Sequence, residues 1–263
     1  MTTALHYQQW LTDCLQRQQA NIHCHTLPDG EVVWVRRAGR RNSIWRYRLL
    51  SVLTGLSGAD ALKPVPSLGG QAAIANEAAA LKRLSQNDII VPKLLAVNDT
   101  ALMMSHLPGD QTLMDVLSQA TTQATVLEHW QRGATAIVDL HKKNQHVSQC
   151  FARNMMCCDD GRIGFIDFED APEKVLTLRQ CQIRDWLCYL HSTTFLLDND
   201  NSRQQAIIVL YQALGEKTDG VIADIYGNTR RFIWARHLQS RRWGRDALRV
   251  AALMRFVQQL YCG

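Results

Sequence analysis

The chain has no hydrophobic run of the roughly 18 to 20 residues that a transmembrane helix needs. Its first residues also lack the basic stretch and following apolar stretch of a secretory signal, so a cytoplasmic location is expected. With 46% hydrophobic and 20% charged residues, the composition excludes a disordered or low-complexity protein. The 263 residues leave room for one large domain or for two lobes.

The eight cysteines lack the spacing of a zinc site. Zinc sites pair Cys or His about two to four residues apart, whereas Cys157 and Cys158 are adjacent and no second pair follows. In a long chain without a signal peptide, we expect reduced thiols rather than a disulfide framework.

Arginines are concentrated in two short segments. Residues 36–48 hold six arginines and no acid, and residues 229–249 hold seven arginines against one acid, Asp246. Clustered arginine favours phosphate, an anionic lipid headgroup or nucleic acid, and two solvated helix faces are the alternative interpretation. No zinc finger, helix-turn-helix or RNA-binding motif accompanies the arginines, so nucleic acid is not expected as a partner.

The first part of the chain combines strands with one crossing helix. Two β-prone runs flank Pro28-Asp29-Gly30, a pattern that is typical of a hairpin. The Ala-rich stretch 71–84 is almost free of helix breakers and predicts a helix. Two further strands are expected at 89–97 and 101–105.

From residue 111 onwards helical patterns dominate, interrupted by a short strand pair that turns at Asp159-Asp160-Gly161. This change of character predicts an α+β fold with two lobes. The N-lobe would span residues 1–106, with a sheet, a helix and a basic helical insert at 37–70. The larger, helical C-lobe would span residues 107–263.

Two oxygen-bearing side chains flank the predicted strand pair. One apolar strand ends at Asp167, and Asn154 precedes the other apolar run. If the two strands pair, the carboxylate and the amide meet at one end of the hairpin. Such oxygen ligands suit Mg²⁺, which keeps positions for water and for substrate phosphates. The pattern therefore predicts a metal site at Asn154 and Asp167, with a turn or a cap as the alternative role of the aspartate.

Six short motifs, in their order along the chain, resemble those of the protein-kinase-like superfamily. The resemblance is strongest to its branch of bacterial lipopolysaccharide core sugar kinases and aminoglycoside-type phosphotransferases. Ile166-Asp167-Phe168-Glu169 resembles the metal-binding element of these enzymes, and Asn154 resembles their catalytic-loop asparagine. Glu77 lies where the family has the helix-C glutamate that pairs with a strand lysine.

The remaining motifs surround the nucleotide site and the catalytic loop of the family. The stretch 103–109, which contains Met104 and His106, is similar to the hinge strand whose backbone groups hold adenine. Leu140-His141 resembles the dipeptide that precedes the catalytic loop. Arg184-Asp185-Trp186 resembles the helix whose aspartate ties that loop down.

The resemblance implies a bilobal protein-kinase-like fold with ATP between the lobes and Mg²⁺ as the metal. It also implies phosphoryl transfer to a hydroxyl of a sugar, either in the lipopolysaccharide core or in another small molecule. The basic, aromatic and aliphatic stretch 44–56 suits peripheral contact with an anionic inner membrane, and packing on the first lobe is the alternative.

The strand preceding the insert departs from the family pattern. Arg36 or Arg37 occupies the place of the strand lysine, and either one keeps the charge and binds phosphate. No Gly-x-Gly-x-x-Gly precedes this strand, so the turn Pro28-Asp29-Gly30 is expected to cover the phosphates.

The catalytic loop departs from the pattern as well. Gln149 stands five residues before Asn154, where the family has an aspartate base, and Ser148 lies beside it. His146 is the nearest titratable group and is expected to take the proton. The acceptor hydroxyl would then be aligned near these three residues of the loop. A kinase-like pseudoenzyme that binds nucleotide or docks a membrane or partner is the alternative function.

Overall fold

The computed structural model describes residues 2–39, 60–63, 65, 69–147, 149–197 and 199–262. Most of the predicted basic insert, including the stretch 44–56, lies outside the described residues, and so does Ser148.

Seven strands form two antiparallel sheets in the described part of the chain. They are β1 (Ile22–Thr26), β2 (Val32–Arg37), β3 (Leu94–Asn98), β4 (Ala101–Ser105), β5 (Gln111–Thr112), β6 (Met155–Cys157) and β7 (Ile163–Phe165). The first sheet has the order β1-β2-β4-β3 and the second has the order β5-β6-β7.

Eight α-helices accompany these strands in the same residues, with short 3-10 turns between some of them. They are α1 (Thr2–Arg17), α2 (Gly70–Gln86), α3 (Leu113–Gln119), α4 (Gln123–Lys142), α5 (Leu178–Thr193), α6 (Asp200–Leu214), α7 (Thr218–Thr229) and α8 (Gly244–Cys262). None of the described helices is both long enough and apolar enough to cross a membrane.

The first sheet packs against α1 on one face and against α2 on the other. One sheet can pack against both helices because the side chains of each strand alternate between its two faces. In β2, Val33 and Val35 are fully buried and share a cluster with Leu11 and Cys14 of α1. The other face of the strand carries Trp34 and Arg36, which therefore point towards the interior of the molecule.

The predicted strands are present, but the third one is shorter than expected. The expected strand 89–97 begins only at Leu94. Pro92 offers no backbone N–H to a ladder, which explains why the preceding residues run as irregular chain. The helix expected over 71–84 is confirmed as α2 and extends slightly at both ends.

The strand pair in the second half is confirmed with the register that the turn predicts. Met155 pairs with Phe165, so Asn154 and Asp167 lie at the same end of the β6–β7 hairpin. The backbone N–H of Ile166 donates to the carbonyl of Asn154 at 3.0 Å, which extends the pairing towards that end.

The C-terminal helices pack around large aromatic side chains. Trp130, Trp186, Tyr189 and Phe256 are all fully buried, and the indole N–H of Trp130 donates to the hydroxyl of Thr193 at 3.0 Å. This core fixes α4 and α5, and through them the loop that connects α4 to the hairpin.

Candidate functional site

A cleft of about 360 Å³ lies between the first sheet and the β6–β7 hairpin, within the size range of small-molecule sites. Its walls include Trp34, Arg36, Glu77, Met104, Asn154 and Asp167. Two larger hollows of about 930 and 690 Å³ lie beside α4 and share none of these residues. The smaller cleft therefore holds most of the side chains that the sequence singled out, but not Arg37, His146 or Gln149.

Arg36 is the cation of this cleft and contacts three carboxylates. Its Nη1 lies 3.1 Å from both carboxylate oxygens of Glu77 and 3.4 Å from Oδ1 of Asp167. Its Nη2 contacts the carboxylate of Glu169. Three carboxylates therefore face one guanidinium, and a divalent cation at this place would offset their excess of negative charge.

Glu77 is held at the bottom of the cleft with 1% of its surface exposed. Burial raises the pKa of this carboxyl, and the charge and hydrogen bonds of Arg36 oppose that rise. The stability of this ion pair requires both side chains, because removing the arginine would leave a buried carboxylate without its cation.

Arg37 does not join the cleft, although the sequence alone left it equal to its neighbour. Alternation along β2 turns its side chain to the α1 face, where Nη1 donates to the carbonyl of Gln18 at 2.6 Å. The structure thus brings Arg36, and not Arg37, to the predicted lysine position.

Asn154 and Asp167 meet at the end of the hairpin, as the strand pairing predicts. The Nδ2 of the buried Asn154 donates to the carbonyl of Gln149 at 3.0 Å and lies 3.5 Å from Oδ2 of Asp167. With the amide nitrogen so occupied, the amide oxygen is the atom that a metal would take. Asp167 has a backbone φ of 71°, a strained conformation for a residue with a side chain and one that clusters at functional sites.

The donor set fits Mg²⁺ better than a transition metal. Among the described residues, no group of three or more His, Cys, Asp or Glu side chains could hold a metal. Mg²⁺ commonly uses only one or two protein oxygens and completes its shell with water and substrate phosphates. One carboxylate and one amide oxygen beside a cleft match this mode of coordination.

Met104 and His106 line the opposite wall of the cleft, at the end of β4. The indole N–H of Trp34 donates to Nδ1 of His106 at 3.1 Å, which fixes both rings. The backbone N–H groups of Ser105 and His106 donate to the carbonyls of Lys93 and Val32. The next main-chain donor along this predicted hinge is therefore at Leu107.

The turn Pro28-Asp29-Gly30 does not cover the phosphate end of the cleft, so that expectation is wrong. Arg36 pairs with Leu102 at one end of the sheet, whereas the N–H of His106 donates to Val32 at the other end. The turn precedes Val32 and therefore lies at the hinge end, away from Arg36.

The predicted role of Asp185 is visible in the structure. The carboxylate is completely buried, and its Oδ2 accepts the backbone N–H of Val147 at 3.2 Å. The same oxygen lies 3.2 Å from Nε2 of His141. Asp185 thereby anchors the loop between α4 and the hairpin.

His146 does not reach the cleft, which corrects its expected role as the proton acceptor. Only 5% of the residue is exposed, and its Nε2 lies 3.8 Å from a carboxylate oxygen of Glu173. Burial lowers the pKa of this histidine, which favours the neutral ring. A ring enclosed in this way presents no nitrogen to an acceptor.

Gln149 is joined to a carboxylate that the sequence reasoning did not identify as functional. Its Nε2 donates to Oδ2 of Asp170 at 2.9 Å. Glu169, the partner of Arg36, was missed too. The signal was the acidic pair Glu169-Asp170, which begins two residues after Asp167, but the pair lies in an irregular segment where side-chain direction cannot be predicted from periodicity.

The topology of the sheet, the paired Arg36 and Glu77, and the hairpin that ends in Asn154 and Asp167 define an α+β, bilobal, protein-kinase-like fold. Residues 65–186 match the model of the Lipopolysaccharide kinase (Kdo/WaaP) family, which confirms the resemblance seen in the motifs. The matched range contains the hinge and the hairpin, whereas Arg36 precedes it.

Among solved structures, the chain is similar to the MAP kinase LMAMPK10 from Leishmania major. The similarity covers 95% of this chain and 82% of that chain, with 14% sequence identity and a TM-score of 0.39. No curated protein matches the chain.

Proposed function

We propose that this protein is an ATP- and Mg²⁺-dependent phosphotransferase. The acceptor is a hydroxyl of a sugar, in the lipopolysaccharide core or in another small molecule. The observation that carries the proposal is the ion pair of Arg36 and Glu77, which faces Asn154 and Asp167 across one cleft. The match to a family of kinases over residues 65–186 supports the same reaction class.

Phosphoryl transfer depends mainly on positioning and charge stabilisation, and each residue of the site contributes to one of these. Arg36 orients the α- and β-phosphates, and the buried Glu77 holds its guanidinium in place. Asn154 and Asp167 would hold Mg²⁺, which would supply positive charge against the phosphates of the nucleotide. The adenine lies against Trp34 and the hinge.

The experiment that tests the proposal compares two aspartates of one hairpin. Asp167→Asn removes the carboxylate of the metal site, so transfer of labelled phosphate from ATP to a lipopolysaccharide core acceptor should fall by about 100-fold or more. Asp160→Asn changes an exposed aspartate of the β6–β7 turn, which pairs with Arg162, and transfer should stay unchanged. Undiminished transfer by a folded Asp167→Asn protein would exclude the assignment.

A kinase-like pseudoenzyme is the second candidate, because Gln149 stands where the family has its catalytic aspartate. Such a protein would bind nucleotide, or dock a membrane or partner, without turnover. Nucleotide binding by the wild type, with no transfer to any sugar acceptor offered, would favour this candidate over the enzyme.

We also propose peripheral contact with an anionic membrane from the cytoplasmic side. In the arginine-rich segment 229–249, Trp234 and Trp243 are 62% and 52% exposed. Exposed arginine and tryptophan together suit the headgroup region of an anionic bilayer.

Sedimentation with vesicles tests this contact. The protein should pellet with phosphatidylglycerol-containing vesicles at low salt, and not with phosphatidylcholine alone, because the attraction is electrostatic. Trp234→Ala with Trp243→Ala should weaken the binding. Equal binding to both kinds of vesicle, or binding to DNA instead, would contradict the proposal.

A further inference from the structure

Asn76 of α2 joins this helix to the segment that follows Asp167, although it does not itself line the cleft. Its Nδ2 donates to the backbone carbonyl of Glu169 at 3.1 Å, and its Oδ1 accepts the ammonium group of Lys174 at 2.7 Å. The two partners lie 93 and 98 residues further along the chain. Both hydrogen bonds therefore connect α2 to a distant part of the sequence, and neither serves the helix itself.

The chemistry of the two partners calls for an amide at this position. A backbone carbonyl accepts hydrogen bonds and never donates one, whereas an ammonium group only donates. The side chain of Asn76 carries a donor and an acceptor on one planar group, so it satisfies both partners at once. An aspartate would keep the contact with Lys174 but would turn an oxygen towards the carbonyl oxygen of Glu169.

The next residue of the helix holds the neighbouring residue of the segment. The carboxylate of Glu77 accepts a hydrogen bond from the backbone of Phe168 and pairs with Arg36. Asn76 and Glu77 thus hold main-chain groups of Glu169 and Phe168. Because the bonds are made to the main chain, they fix the path of the backbone and not merely the direction of one side chain.

The segment that is held in this way begins at Asp167, whose backbone φ is 71°. A strained conformation of this kind persists only where surrounding contacts hold it. Oδ1 of Asp167 lies 3.4 Å from Nη1 of Arg36, and the same guanidinium is paired with Glu77. The bond of Asn76 to Glu169 therefore closes a ring of contacts that contains both the arginine and the proposed metal ligand.

We infer that Asn76 is a positioning residue for phosphoryl transfer, an inference that rests on the proposed function. It fixes the placement of α2, which carries the partner of Arg36, relative to Asp167, which would hold Mg²⁺. Asn76 acts through the backbone of Glu169. Residues that orient a metal ligand from behind typically change metal affinity by about 10- to 100-fold when they are replaced.

Asn76→Asp tests this role, because it removes the donor to Glu169 and keeps the acceptor for Lys174. The first readout is the thermal stabilisation of the full-length protein by a non-hydrolysable ATP analogue as magnesium is raised. We expect the magnesium concentration that gives half of this stabilisation to rise roughly 10-fold or more. The second readout is phosphate transfer from ATP, whose kcat should fall by about 10- to 100-fold. General destabilisation would lower the melting temperature without shifting the magnesium dependence.

Asn87→Asp is the matched control, because it makes the same change at the C-terminal end of the same helix. The Nδ2 of Asn87 donates to the backbone carbonyl of Arg83 at 2.8 Å, so the variant loses a bond of the same kind. We expect its magnesium dependence to equal that of the wild type. Lys174→Met removes only the outer partner of Asn76 and should have a smaller effect than Asn76→Asp, because the bond to Glu169 remains.

The outcomes separate this inference from the proposed function. A wild type that neither binds magnesium nucleotide nor transfers phosphate would exclude the function, and the inference with it. If the wild type is active, the inference alone is overturned by a folded Asn76→Asp protein with unchanged magnesium dependence, or by an equal rise in Asn87→Asp. Should Asn76→Asp fail to fold, Asn76→Ala takes its place, because alanine favours the helix and also lacks the donor. An unchanged magnesium dependence in that variant would overturn the inference as well.

Discussion

At the scale of single residues, Arg36 supplies the positive charge that pairs with the carboxylates of the cleft. A lysine is a compact point charge, whereas the planar guanidinium offers several donors at once. The arginine can therefore contact Glu77, Asp167 and Glu169 together. Its contact with Asp167 places the proposed phosphate-binding cation beside a proposed metal ligand.

Replacing this arginine should destabilise the fold in a pH-dependent way. Arg36→Met leaves Glu77 buried without its cation, and we expect the free energy of unfolding to drop by about 3 kcal/mol near pH 8. Without the arginine, the pKa of Glu77 rises further, so the folded state tolerates the protonated acid better than the ionised one. The loss should therefore shrink as the pH falls from 8 to 5, as urea unfolding at both values would show.

Arg37→Met is the matched control for this prediction. Arg37 faces the opposite side of β2 and donates one hydrogen bond to a backbone carbonyl, worth about 1 kcal/mol. Its replacement should cost little and show no such pH dependence. An equal, pH-independent loss in both variants would mean that the pair of Arg36 and Glu77 does not behave as described.

At the scale of elements, the approach of the hinge to the β6–β7 hairpin shapes the cleft. Gly109 follows the hinge with a backbone φ of 143°. A Cβ at this position would lie 2.2 Å from the backbone oxygen of Cys157, so only glycine allows the two segments to approach this closely. The glycine therefore sets how closely the segment after β4 approaches the β6–β7 hairpin.

Gly109→Ala should destabilise the protein by clearly more than about 1 kcal/mol, because it combines a clash with a strained backbone. Gly161→Ala is the control, since that glycine also has a positive φ, of 82°, but open space around it. Thermal unfolding of both variants measures the difference. A Gly109→Ala protein as stable as Gly161→Ala would contradict the close packing of the hinge on the hairpin.

The sequence predicted elements better than it predicted contacts. The meeting of Asn154 with Asp167 followed from a short turn, because the turn fixes the register of its two strands. Alternation along β2 places Arg36 opposite Val33 and Val35, but sequence alone does not say which face lines a cleft. The contact of Gln149 with Asp170 joins two irregular segments 21 residues apart, and no periodic pattern encodes such a pairing.

His146 is a second residue whose surroundings could not be predicted from the local sequence. The residues around His146 are polar, a pattern that favours an exposed loop, but Asp185 accepts the backbone N–H of Val147 and holds the loop against the core, where the histidine is buried. A tertiary anchor 38 residues away decides this burial, so local sequence could not predict it.

At the scale of the whole molecule, the cleft is assembled from both halves of the chain. The first sheet and α2 supply Arg36 and Glu77, and the β6–β7 hairpin supplies Asn154 and Asp167. The lobe boundary at residue 106 stays a prediction. A ligand that bridges the two groups should stabilise the whole protein, because it binds only where folding has brought them together.

The measurement that tests this account most directly is the thermal stability of the wild type with a non-hydrolysable ATP analogue, with and without Mg²⁺. At an analogue concentration about 100-fold above its Kd, we expect stabilisation of about 2.7 kcal/mol in the presence of Mg²⁺. The stabilisation should be largely lost without Mg²⁺ and in the Asp167→Asn variant. No shift with nucleotide under any of these conditions, or an equal shift in Asp167→Asn, would contradict the central claim that these four side chains bind a magnesium nucleotide.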